Sequence, residues 1–202
     1  MMSLREVSQV DENVMVIDFD ILLGEVFNSK FMDGGSLIII SPWIGDVIYY
    51  MGCCGFFSNF PLVFGDYLVL SELIDEILSN ENSIVRIITE EPCKEKYNKL
   101  PKYFDESELN FLLDRARKGA KIYFSELERG ILHPKIILGK YGVVFGSFNL
   151  TFSGRYWNIE DGNFAPSTSK VYKEKKIRCE EIIRSCREIA NDDLEGLKMQ
   201  FM

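Results

Sequence analysis

The chain holds one histidine, His133, in 202 residues. A metal site assembled from several histidines is therefore excluded. Its five cysteines are odd in number and form no CxxC pair, so neither a disulfide framework nor a zinc ribbon is indicated. Cys179 and Cys186 lie two helical turns apart and are expected as buried small hydrophobes on one face of a late helix. Basic residues are in deficit, 23 against 31 acidic, for a net charge of −8 and a pI of about 4.9. That balance argues against strong non-specific binding to nucleic acid, although a local basic patch remains compatible with it. No linker rich in Pro, Gly or Ser and no internal repeat divides the sequence, which has the length of one domain spanning residues 1–202. The first dozen residues mix charged and apolar types and lack the basic start and pure apolar run of a secretory signal, so a cytoplasmic location is expected.

One stretch has no charge at all. Residues 47–65 carry Tyr49, Tyr50, Phe56, Phe57, Phe60 and Phe64. The run is long enough for a membrane span, but Gly52, Gly55, Ser58, Asn59 and Pro61 break and solvate a helix. Packing or an interface is the expected role, with a lipid or ligand surface the second reading.

Elements alternate along the rest. Residues 18–32 have helical spacing and stop at Asp33-Gly34-Gly35. The run Leu37 to Ile40, closed by Ser41-Pro42, reads as a strand buried on both faces. A helix is expected from Asp66, as N-cap, to Asn80, then a strand from Ser83 to Thr89. Asp105 and Glu108 form a capping-box pattern for a helix through Ala116 that ends at Gly119. Strands follow at 121–124, 131–138 and 142–146, the last two joined by Gly139-Lys140-Tyr141, and another at 157–164. A charged helix over about 169–191 closes the chain. The class is α/β, a mixed β-sheet flanked by helices.

Chemistry concentrates between 133 and 160. His133-Pro134-Lys135 is followed, ten residues on, by Gly146-Ser147-Phe148-Asn149 and then by Asn158 and Glu160. Side chains alternate along a strand, so His133 and Lys135 share a face. An imidazole beside an ammonium suits an anionic substrate. Ser147 and Asn149 offer a hydroxyl and an amide that donate to phosphoryl oxygens. Glu160 can hold the second imidazole nitrogen.

This pattern resembles the phospholipase D superfamily, whose motif runs HxK, four residues, Asp, about six residues, GSxN, then Asn-x-Glu. His133, Lys135, Gly146, Ser147, Asn149, Asn158 and Glu160 fall on it. The surrounding LIIISPW, VRIITEEP and RKGAKIYF are similar to family landmarks, so the resemblance covers about residues 20–165. One position departs: the motif aspartate falls at Lys140, which is expected to add a positive charge close to the site. Loss of that aspartate also occurs in the phospholipase D-like tyrosyl-DNA phosphodiesterases.

The resemblance implies a phospholipase D-like fold and metal-free, cofactor-free phosphoryl transfer through a phosphohistidine. His133, Lys135, Asn149 and Glu160 would be catalytic, and Gly146, Ser147 and Asn158 would bind substrate. Such chemistry needs two histidines, and one per chain points to a homodimer with His133 from each copy in a shared active site. Small single-motif members resemble endonucleases, so nucleic acid is the expected substrate, with Lys135, Lys140, Arg155 and residues 173–176 as local cations. A phospholipase or phosphatidyltransferase acting on membrane lipid is the second reading. A non-catalytic binding or dimerisation module is the third.

Overall fold

In the computed structural model the residues described are 9–50, 67–91, 106–125, 132–151 and 162–201. Helix α1 spans Gln9–Phe31 and leads into strand β1, Ser36–Ile40. A two-stranded ribbon, β2 (Ile48–Tyr50) with β3 (Tyr67–Val69), precedes α2 (Leu70–Leu78) and β4 (Ile84–Glu90). Then come α3 (Glu106–Arg117), β5 (Lys121–Ser125), β6 (Lys135–Leu138), β7 (Gly142–Gly146) and β8 (Gly162–Pro166). The chain closes with α4 (Lys170–Arg184), β9 (Cys186–Ile189) and α5 (Asn191–Phe201).

Among the described residues, seven strands form one mixed sheet in the order β8-β7-β6-β1-β4-β5-β9. Strands β1, β4 and β5 run parallel, as helical crossovers require. Strands β6, β7 and β8 form an antiparallel meander against the other edge of β1. Alternation splits the apolar residues between two cores. Leu37, Ile39, Val85, Ile87, Ile122, Phe124, Ile137 and Val144 face one side, where residues of α1, α2, α3 and α5 pack. Ile38, Ile40, Ile88, Tyr123, Ile136, Leu138 and Val143 face the other, covered by Tyr172, Cys179 and Ile182 of α4. This two-sided burial is why β1 reads as an unbroken apolar run, and each fully buried Ile there contributes about 1.5–3 kcal/mol.

Helix α2 buries Leu70, Leu73, Ile74 and Ile77, the stripe expected at helical spacing. It starts four residues later than Asp66, because Tyr67–Val69 is committed to pairing with β2. Its first turn is held from outside, with Asp46 accepting from the Ser71 amide at 2.8 Å and from its hydroxyl at 2.7 Å. Asp66 and Asp105 lie outside the described residues, as do 51–65 of the aromatic stretch; within the rest of that stretch Val47 and Tyr49 are buried. Gly119 ends α3 as expected, at φ +104°.

The closing segment departs from a single helix over 169–191. Helix α4 stops at Ser185, and Cys186–Ile189 pairs antiparallel with β5 before α5 begins. Arg187 and Glu188 are exposed and Ile189 is buried, a strand-like pattern at the edge of the sheet. Cys179 is buried on α4, whereas Cys186 is a half-buried strand residue, so the two do not share a helix face. Among the described residues no helix is long and apolar enough to cross a membrane.

Candidate active site

Parallel strands β1 and β4 deliver their carboxyl ends to one rim of the sheet, and antiparallel β6 starts there. Chain connections diverge on the two sides of β1, which in open α/β sheets leaves a crevice beyond the strand ends. His133 stands at this rim, exposed, two residues before β6. The strand begins at Lys135 rather than 131, and Pro134 has no N–H to offer a ladder. Lys135 pairs across the hairpin with Gly146, which places Ser147-Phe148-Asn149 directly beside the histidine's approach.

The imidazole and the ammonium meet, with Lys135 Nζ 3.2 Å from His133 Nδ1. An ammonium only donates, so Nδ1 is the acceptor here and the proton of a neutral ring sits on Nε2. Lys135 is 8% exposed. Asn149 is half-buried, and its Oδ1 is enclosed with no hydrogen-bond partner among the described residues. Such an atom is costly unless a ligand or neighbour completes it. Ser147 is exposed and Gly146 half-buried at the same rim. Asn158 and Glu160 lie outside the described residues, as does Arg155.

The loop after β7 is fastened to the exit of β1. Phe148 and Leu150 are buried in the helix-rich core. The Leu150 amide donates to Ser41 Oγ at 3.1 Å, and the Gly45 amide donates to the Leu150 carbonyl at 2.8 Å. Thr89 Oγ1 donates to the Pro42 carbonyl at 3.0 Å, tying β4 to the same turn. Thus the Ser41-Pro42 that closes the first strand also anchors Asn149. In sequence the pair closes a strand and belongs to the LIIISPW run that resembles a family landmark, and neither feature signals this anchor.

Lys140 is not close to the site. It sits in the β6–β7 turn, at the opposite end of the hairpin from His133, with the whole of β6 between them. Its ammonium donates to the Gly34 carbonyl and its amide to Glu25 Oε1. Glu25, on α1, is 1% exposed and also accepts from the Ser36 amide at 2.6 Å and from Asn28 Nδ2 at 3.4 Å. A Cβ on Gly139 would lie 2.7 Å from Glu25 Oε1, so only glycine lets the turn come this near. The buried carboxylate beneath this turn therefore comes from α1 in place of the hairpin itself. Its signal was a charged residue lying on the same helical stripe as Leu22, Val26 and Ser29, all buried.

No family model matches the sequence, and no curated protein matches it. Among solved structures it is similar to a phospholipase D family member, Nuc from Salmonella typhimurium, with a TM-score of 0.53 and 12% identity over 85% of this chain and 90% of that one. NucT from Helicobacter pylori superposes with a TM-score of 0.52 and 12% identity, over 88% of this chain and 94% of that one. Polyphosphate kinase from Porphyromonas gingivalis gives 0.50 and 10%, over 85% of this chain and 25% of that one. Both Nuc and NucT are covered almost end to end, and the mixed seven-stranded sheet of this chain is a phospholipase D-like fold.

Proposed function

We propose that the protein is a metal-independent phosphodiesterase acting through a phosphohistidine at His133, a nuclease whose active site is shared by the two copies of a homodimer. The observation that carries this reading is the 3.2 Å contact between His133 and Lys135 at the sheet rim, with the Asn149 side chain on the adjoining loop after β7. It joins a nucleophile, a cation and an amide at the place where the fold leaves a crevice.

A bound phosphodiester draws the Lys135 ammonium from Nδ1 onto a non-bridging oxygen, where Asn149 Nδ2 and Ser147 also donate. Nε2 gives up its proton to solvent as Nδ1, freed of the ammonium, takes one from solvent; the Glu160 carboxylate would hold the Nδ1 proton, and Nε2 is free to attack phosphorus. A nitrogen–phosphorus bond forms as the bond to the leaving oxygen breaks. That oxygen takes a proton from the imidazolium of His133 of the partner subunit. Water next attacks the phosphohistidine, gives its proton to the same partner imidazole, and restores the first ring. With one histidine per chain, the acid and the nucleophile can both be imidazoles only across a twofold axis.

Nucleic acid is favoured as substrate because short, single-motif members of the superfamily resemble endonucleases. Cleavage of plasmid DNA without detergent supports that choice, and activity confined to liposomes contradicts it. For the chemistry, His133→Ala is expected to abolish cleavage of bis(p-nitrophenyl) phosphate, while EDTA leaves the wild-type rate unchanged. Activity surviving the substitution, or lost to the chelator, overturns the mechanism.

A further inference from the structure

The carboxyl end of β4 carries a buried acid that the phosphodiesterase reading does not use. Glu90 is 1% exposed at the same rim as His133, two strands away in the sheet. Its backbone amide donates to the Pro42 carbonyl at 3.3 Å, so the strand end is fixed to the turn that also anchors Asn149. Its side chain reaches past β1 and accepts from the amide of Leu132, the residue before His133.

We infer that Glu90 is a positioning residue for His133, setting the direction from which the imidazole enters the crevice; the inference rests on the proposed function for its catalytic meaning. The backbone around the histidine is held on both sides. At Leu132 the N–H is bound by Glu90 and the side chain is buried in the core beneath α4. At Lys135 the β6 ladder begins, in register with Gly146. Between them, Pro134 fixes its own φ and biases His133 to an extended backbone. His133 thus has little freedom beyond its own side-chain torsions. A carboxylate is an expensive acceptor to bury, and a hydrogen bond to a charged acceptor is shorter and stronger than a neutral one. Placing that acceptor at the first fixed point before the nucleophile converts the cost into precision where a misplacement of about 1 Å can cost about a hundredfold in rate.

His133 is the only histidine in the sequence, so one imidazole Cε1–H resonance reports it directly by NMR. Glu90→Ala is expected to move or broaden that resonance and to lower turnover of bis(p-nitrophenyl) phosphate by roughly tenfold or more, with KM changed by less than about threefold. Glu90→Gln, which keeps an acceptor, is expected to restore both. Tyr172→Phe, which removes a core hydrogen bond to Gly139 at the far end of the sheet, serves as the control and should leave the resonance in place. Should Glu90→Ala fail to fold, Glu90→Asp keeps the charge but shortens the reach, and is expected to shift the resonance in a folded protein. An unmoved His133 resonance in folded Glu90→Ala, or in folded Glu90→Asp where the alanine variant does not fold, overturns the inference. The spectrum does not depend on turnover, so an inactive wild type would defeat the phosphodiesterase reading while the positioning of His133 was still decided.

Discussion

At the residue scale, the two ends of the β6–β7 hairpin do different work. His133 and Lys135 stand at one end, and Lys140 closes the other against Gly34 and Glu25. Lys140→Ala is therefore expected to leave phosphodiester turnover within about twofold and to lower stability by about 1 kcal/mol, the worth of one hydrogen bond. Glu25→Ala strands the amides of Ser36 and Lys140 and should cost about 3 kcal/mol. Chemical denaturation of both variants checks these values. Burial also pushes the Cys179 thiol up from 9.0 to about 12, with neighbouring Glu180 adding to the rise. A raised value means the folded state holds the proton more tightly, so this contribution is complete below pH 9 and is lost as pH rises towards 12. Between those limits stability should fall by about 1.4 kcal/mol per pH unit from this group alone. Tyr123, pushed to about 12 by burial and its bond to Glu188, adds to the decline above pH 10. Cys179→Ala should flatten the decline seen by thermal melts at pH 9–11; an unchanged slope would remove the thiol as its cause.

At the scale of elements, β1, β4, β5, β6 and β7 were legible because each is a short apolar run closed by Gly, Pro or a charged pair. The hairpin turn at 139–141 and the stop at Gly119 follow from local chemistry alone. Gly119→Ala meets no atom within 4 Å, so its expected cost is the left-handed backbone itself, about 1–2 kcal/mol, with turnover unchanged. The end of the chain was not legible in the same way. Cys186 to Ile189 is four residues long between two charged helices, and only pairing with β5 makes it a strand. Likewise Tyr67–Val69 continues a helical pattern in sequence but is claimed by β2. Of the seven residues read as the site, the five described ones gather at one rim. Glu90 and Ser41 lie in the runs VRIITEEP and LIIISPW, but their side-chain roles were not legible because their partners are distant in sequence, 42 residues away for the acid and 109 for the hydroxyl.

At the scale of the whole molecule, a mixed sheet with parallel strands on one side of β1 and a meander on the other brings the described motif residues to one rim. With a net charge of −8, the proposed binding of nucleic acid would rest on local cations and should weaken steeply with salt. Everything in the mechanism turns on two copies of one histidine meeting. Subunits of wild type and His133→Ala, co-refolded in known ratios, decide this in EDTA with bis(p-nitrophenyl) phosphate. A shared site needs two intact histidines, so the rate should follow the square of the wild-type fraction, with an equimolar mixture giving about one quarter of the full rate. A linear fall, to about one half at equimolar mixing, or a rate that ignores the variant altogether, would contradict the shared imidazole site.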